Sequence, residues 1–106
     1  MTLAQDIAKI QSEASLYGAG VQTRAHLEDD EIVIDLIAVP PILRRQGIAS
    51  QILSEYVDVA DLWGKKLTLE ASTDFNTPRL ALHILYSEAG FVPQGKTHYI
   101  YYPANR

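Results

Sequence analysis

Arg44-Arg45-Gln46-Gly47-Ile48-Ala49 is the stretch of this sequence whose residue types and spacing are best suited to chemistry. It follows an apolar run, residues 32–39, that is closed by Pro40 and Pro41, and it leads into a helix-like pattern. A strand, a glycine-containing turn and a helix N-terminus make a site for an anion. The first helical N–H groups have no partner within the helix and lie at its positive end. Gly47 has no Cβ to hold a ligand away from the backbone, and Arg44 and Arg45 add fixed charge and forked donors. Such a turn suits a phosphate or pyrophosphate, and it also suits a plain strand-to-helix connection. It lacks the Gly-Lys-Ser/Thr ending of a P-loop and the three glycines of a dinucleotide fingerprint. A second group stands out within the preceding strand. Asp35 is an acid among apolar residues, with the side-chain parity of Ile37 and Val39. A carboxylate there is either paired, serving as a structural hydrogen-bond acceptor, or carries a raised pKa.

The elements that must hold these residues can be read from periodicity. Leu3, Ile7, Ile10, Ala14 and Tyr17 recur three or four apart and predict a scaffold helix, capped by Thr2 and stopped by Gly18 and Gly20. Residues 21–27 alternate, with Val21, Thr23, Ala25 and Leu27 on one face and Gln22, Arg24 and His26 on the other. Glu28-Asp29-Asp30-Glu31 reads as a polar hairpin turn, since the spacing of a calcium-binding loop is absent. The near-continuous apolarity of residues 32–39 predicts a central strand buried on both faces. Ile48, Ile52, Leu53, Tyr56, Val59, Ala60 and Trp63 predict a helix ended by Gly64, with Lys65 and Lys66 beyond its C-terminus. Residues 67–71 follow as a strand, which a right-handed crossover sets parallel to 32–39. A helix over Leu80–Ala89, stopped by Gly90, and a terminal hairpin complete the chain. In that hairpin His98, Ile100 and Tyr102 share one face, and Tyr99 and Tyr101 the other. The order α-β-β-α-β-α-β-β defines an α/β class, or α+β, with a mixed sheet.

Bulk properties narrow the function. The 106 residues suit one domain, 1–106, and 47% apolar with 21% charged residues is a globular composition. There is no Cys, which removes disulfides and thiolate chemistry and fits a cytoplasmic protein. Nine Lys+Arg against thirteen Asp+Glu give a formal charge of −4, a poor basis for nucleic-acid binding. The N-terminal residues include acids and no apolar core of a signal peptide, and no run is long enough to cross a bilayer. No internal repeat or low-complexity segment is present. Trp63 and the Tyr99–Tyr102 cluster read equally as core or as the interface of a homodimer.

Arg44-x-x-Gly47-x-Ala49, after a strand ending in Val39-x-Pro41, resembles the acyl-CoA signature Q/R-x-x-G-x-G/A of the GCN5-related N-acetyltransferase (GNAT) superfamily. Leu85-Tyr86-Ser87-Glu88-Ala89-Gly90-Phe91 resembles the L-Y-x-x-x-G-F that closes that family's last helix, and Tyr101-Tyr102-Pro103 its final strand. The resemblance spans residues 31–103. It implies a GNAT-like fold whose parallel strands, 32–39 and 67–71, splay apart to admit acetyl-CoA. Backbone groups of Ile37, Ala38 and Val39 would pair with the thioester carbonyl and the pantetheine amides. The turn from Arg45 through Gln46, Gly47 and Ile48 to Ala49 would cradle the pyrophosphate, supported by Arg44. An amine acceptor, small molecule or protein, would attack the thioester directly through a tetrahedral intermediate. A backbone donor near Ile37 would stabilise the oxyanion.

Tyr86 stands at the position of the family's general acid. A phenol titrating near 10 is protonated at neutral pH and can donate to the departing thiolate. Asp35 is the first candidate for the base and Glu70 the second, ahead of His83 and His98. The family often carries an Asn seven residues before this tyrosine. Here that position holds Arg79, and Asn76 lies ten before, so both enter as cofactor candidates. The region before the signature strand is short relative to the family. That implies either a large acceptor on an open surface or a site completed by a dimer. The rival reading is a GNAT-like module that binds CoA or a protein without turnover. Retention of both the turn motif and Tyr86 favours the enzyme.

Overall fold

The computed structural model describes residues 2–44, 46–71 and 79–104. Thr2 opens helix α1 (Leu3–Glu13) with a reciprocal capping box: its side chain accepts from the Gln5 amide, and the Gln5 side chain accepts from the Thr2 amide. A 3-10 turn, Ala14–Tyr17, carries the apolar stripe to its end. Strands β1 (Gln22–Glu28) and β2 (Glu31–Ala38) follow. They are joined by Asp29 and Asp30, both at positive φ (47° and 69°), as a two-residue hairpin turn requires. A second 3-10 turn, Pro41–Leu43, precedes α2 (Ile48–Trp63) and β3 (Lys66–Glu70). The chain ends in α3 (Arg79–Glu88), β4 (Val92–Pro93) and β5 (His98–Tyr101). The element order is the expected one.

The five strands form one mixed sheet in the order β1-β2-β3-β5-β4, with β2 and β3 parallel and the other neighbours antiparallel. Two features of its register shape everything else. Arg24 pairs with Leu36 but Ala25 pairs with Ile34, so Asp35 is an extra residue in β2 with no partner on β1. Such a bulge breaks the period-2 alternation. Ile37 therefore shares the face of Ile34 and Thr23, and the parity expected to link Asp35 with Ile37 and Val39 does not hold. The second feature is the parallel ladder, which runs from Glu31↔Lys66 only to Ile34↔Leu69. Beyond it β2 stays paired only with β1, while Glu70 stays paired with His98 and the Ala71 amide with the Thr97 carbonyl. The parallel strands thus part after Ile34 and Leu69.

All three helices pack on one face. Ile32, Ile34, Leu67, Leu69 and Tyr99 point into a core with Ile7 and Ile10 of α1, and with Ile52, Leu53 and Tyr56 of α2. Ile32, Ile52, Leu53 and Leu67 are completely buried, each contributing roughly 1.5–3 kcal/mol of apolar burial. Tyr56 is completely buried too, with its hydroxyl 2.8 Å from Thr23 Oγ1, which donates to the Leu36 carbonyl at 2.7 Å. The single hydroxyl proton of Thr23 is thereby used, so Tyr56 is the donor in the first contact. This chain ties α2 to β2 one residue beyond the bulge. On the opposite face no helix covers the sheet among the described residues. Val33, Leu36 and Ala38 are half-buried there and Asp35 is exposed, so β2 is not buried on both sides as its composition suggested.

Candidate functional site

The glycine turn is built as its residues dictate. Gly47 is the N-cap of α2 at φ 77°, ψ 12°, a left-handed conformation that a side chain disfavours. A Cβ there would meet nothing within 4 Å, so the space beside this backbone is open to a ligand. No side chain caps the helix, and its first backbone bond is Gln51 N–H to the Gly47 carbonyl. The amides of Ile48, Ala49 and Ser50 are left for an anion, at the positive end of a 16-residue helix. Gln46 is exposed, Ile48 buried and Ala49 half-buried. Arg44 Nε donates to the Val39 carbonyl at 3.2 Å, fastening the turn to the end of β2 and leaving the rest of the guanidinium fork available. Behind the turn, Leu43 presses on Gly18, where a Cβ would come within 2.4 Å of it. That glycine lets the segment before β1 brace the turn.

The strand ends form the second part. Asp35 lies one residue past the last β2–β3 pair and opposite no residue of β1. Its carboxylate contacts His26 Nδ1 at 2.7 Å, and Glu28 contacts His26 Nε2 at 2.9 Å. A ring whose two nitrogens both meet carboxylates is best satisfied as imidazolium. Hydrogen bonds to Asp35 first, and to Glu28 second, accordingly raise its pKa above the ordinary 6.5. Across the gap Glu70 is exposed, beside His98 on β5. Asp35, Glu70 and His98 line one groove of about 430 Å³ on the uncovered face, with Thr68 on its floor.

Tyr86 reaches the same strand ends from the helix side. Its ring lies 5.1 Å from that of Tyr99, which stands opposite Leu69, the last β3 residue paired to β2. Phe91 closes its other side at 6.2 Å. Burial, with a smaller contribution from Tyr99, pushes the Tyr86 hydroxyl above its ordinary 10, so it is a proton donor at neutral pH. Its hydroxyl has no hydrogen-bond partner among the described residues. A groove of about 320 Å³ runs between α2 and α3 on this side, from Ser50 in the first turn of α2 to Leu85 and Glu88.

The fold therefore brings Ile37, Ala38, Val39, Arg44 and the Gln46–Ala49 turn to the free end of β2. It sets Tyr86 and the pair Asp35 and Glu70 on opposite faces of the gap. Arg45 and Asn76 lie outside the described residues, as does the side chain of Arg79, whose backbone opens α3. His83 is tied to the Tyr99 hydroxyl at 2.8 Å on the helix side, a structural contact remote from the groove. His26 and Thr68 are the residues that sequence reasoning missed. His26 alternated outward on an edge strand, and only the shifted register sets it against Asp35. Trp63 is 37% exposed and donates to Asp6 at 2.7 Å. Tyr99 is core and Tyr102 exposed. Among the described residues no cluster of ligands for a metal ion occurs, and no helix is long and apolar enough to cross a membrane.

Comparison with known proteins places this geometry. The family model described as Acetyltransferase (GNAT) family matches residues 15–91, which hold the turn, both parallel strands and Tyr86. No curated protein matched the sequence. Among solved structures, the chain is similar to the anti-CRISPR protein AcrVA5, at 27% identity and TM-score 0.63, over 77% of this chain and 90% of that one. It shares its fold with Ard1 from Thermoplasma volcanium, at 19% identity and TM-score 0.63, over 96% of this chain and 78% of that one. A mixed sheet with parted parallel strands and a glycine-capped helix, in a sequence matched over most of its length, identifies the chain as a member of the GNAT acetyltransferase family.

Proposed function

We propose that the protein transfers the acetyl group of acetyl-CoA directly to an amine acceptor, a small molecule or a protein. The observation that carries this reading is the gap between β2 and β3, which has a protonated phenol on one side and two carboxylates on the other. The turn fits an acyl-CoA: Gly47 leaves open space, and the uncapped α2 amides and Arg44 supply donors for a pyrophosphate. The groove between α2 and α3 begins at the same helical turn and offers room for the pantetheine arm. When bound, acetyl-CoA supplies an activated acyl thioester. A backbone donor near Ile37, where the parallel strands part, would stabilise the developing oxyanion. Asp35 or Glu70 takes the proton of the incoming ammonium, and Tyr86 delivers its own to the departing sulfur. Ile37, Ala38 and Val39 outrun the parallel ladder, so the edge of β2 that faces β3 is open there to a bound amide.

The experiment is titration calorimetry with acetyl-CoA, followed by thiol release in the presence of a broad amine panel. The reading expects a saturable 1:1 complex and amine-dependent release of CoA. Absence of any complex overturns it. A complex that acetylates no amine in the panel leaves a CoA-binding module without turnover.

A further inference from the structure

The groove on the uncovered face is ordered in rows that the register fixes. Glu31 stands beside Lys66; Val33, Thr68 and Ile100 form the next row; Glu70 and His98 form the third, with Asp35 following along β2. Carboxylates thus mark both ends, and an apolar floor with one hydroxyl separates them. Two residues along a strand advance about 6.6 Å, so the acidic ends lie roughly 13 Å apart with Thr68 midway. Thr68 is the telling residue. It is only 4% exposed, it lines the groove, and its hydroxyl has no hydrogen-bond partner among the described residues. No fully buried side-chain polar atom among the described residues lacks a partner, so the Thr68 hydroxyl is open to the groove, where it can donate to or accept from a ligand. His98 lines the groove, and Lys66 and His26 stand beside it, each engaged with carboxylates. Lys66 Nζ lies 3.7 Å from Glu31, and His26 bridges Glu28 and Asp35. Glu28, Glu31, Asp35 and Glu70 outnumber them.

We propose that this groove is the acceptor site and that its acceptor is a linear oligoamine, with ammonium groups separated by short methylene chains. The proposal rests on the acetyl-transfer reading above. One terminal nitrogen sits between Asp35 and Glu70 at the gap in the sheet. The methylenes cross Val33 and Ile100, an internal nitrogen donates to the Thr68 hydroxyl, and the far ammonium meets Glu28 and Glu31. The carboxylates at the gap remove one proton from the near ammonium. Its nitrogen then forms the new N–C bond as the C–S bond of the thioester breaks, the departing thiolate takes the Tyr86 proton, and the second proton shed by the acylated nitrogen restores the phenol. A mono-N-acetyl oligoamine and CoA leave.

Calorimetry with spermidine at low salt, with and without CoA, tests the groove. Spermidine binding is expected to weaken about fivefold in Glu31→Gln and in Thr68→Val, and to be unchanged in Asp58→Asn on an exposed position of α2. In turnover, kcat/KM for spermidine is expected to exceed that for butylamine or a lysyl peptide by at least about tenfold. If acetyl-CoA binds and a lysyl peptide or butylamine is acetylated as well as spermidine, the oligoamine assignment falls while acetyl transfer stands. If spermidine binding ignores Glu31→Gln and Thr68→Val, the groove assignment falls. If spermidine binding responds to both variants but acetyl-CoA does not bind, acetyl transfer falls and the groove survives.

Discussion

The two faces of one sheet present opposite environments. The helix-covered face is apolar, and its phenols are held neutral. Tyr56 is pushed up to about 12, chiefly by burial, and Tyr17 to about 12, chiefly by its hydrogen bond to Glu55. Tyr86 is raised by burial as well. The uncovered face carries Asp35, Glu70, His26 and His98 in contact with water. On the proposed reading, a proton donor that must stay protonated suits the dry side, and groups that exchange protons suit the wet side. The parted strands are the passage between the two.

That contrast can be broken in order of expected effect. Leu53→Ala on the covered side empties a fully buried position and should cost about 2–5 kcal/mol in denaturant unfolding. Loss of less than about 1 kcal/mol would mean that the helix layer is not the stabilising one. Tyr86→Phe keeps the ring packing and removes only the hydroxyl. It should lower kcat about 100-fold with acetyl-CoA affinity unchanged, measured by steady-state rates beside calorimetry. An unchanged kcat would remove the phenol from the proposed chemistry. Gly47→Ala places a side chain at φ 77° and should cost about 1–2 kcal/mol of stability, and it should weaken acetyl-CoA binding by about tenfold as its methyl enters the open space.

The smallest effect belongs to the wet face. His26 has a folded pKa above its ordinary 6.5, so its contribution to stability is complete below 6.5 and is lost as pH rises through the folded value. An NMR titration should find its midpoint above 6.5, and Asp35→Asn should move it back down. A midpoint that ignores Asp35→Asn would dissolve the pair.

Much of this was readable one element at a time. The stripe of α1 and its Thr2–Gln5 cap, the Asp29-Asp30 turn, the alternation of β1 and the Gly47 and Gly64 ends of α2 appear where the residue types require them, because each is settled by neighbours a few positions apart. The alternation of the terminal hairpin, with Tyr99 inward and His98 outward, was equally local. Two expectations failed for one reason: they extended a local rule across strands. A period of two has no term for a bulge, and only the pairing of β1 with β2 reveals that Asp35 is the extra residue. Apolar composition of β2 does not say whether a second layer exists to cover it.

What the sequence by itself determined is the turn proposed to hold acyl-CoA. A phosphate-binding turn is a contiguous device, made from a proline-ended strand, one glycine and the first amides of one helix. What only the tertiary structure decided is the groove proposed for the acceptor. His26, Asp35, Thr68 and Glu70 come from three strands, and their meeting depends on register and on where two strands stop pairing. Those are relations between distant segments, set by the packing of the whole sheet against its helices, and no local pattern encodes them.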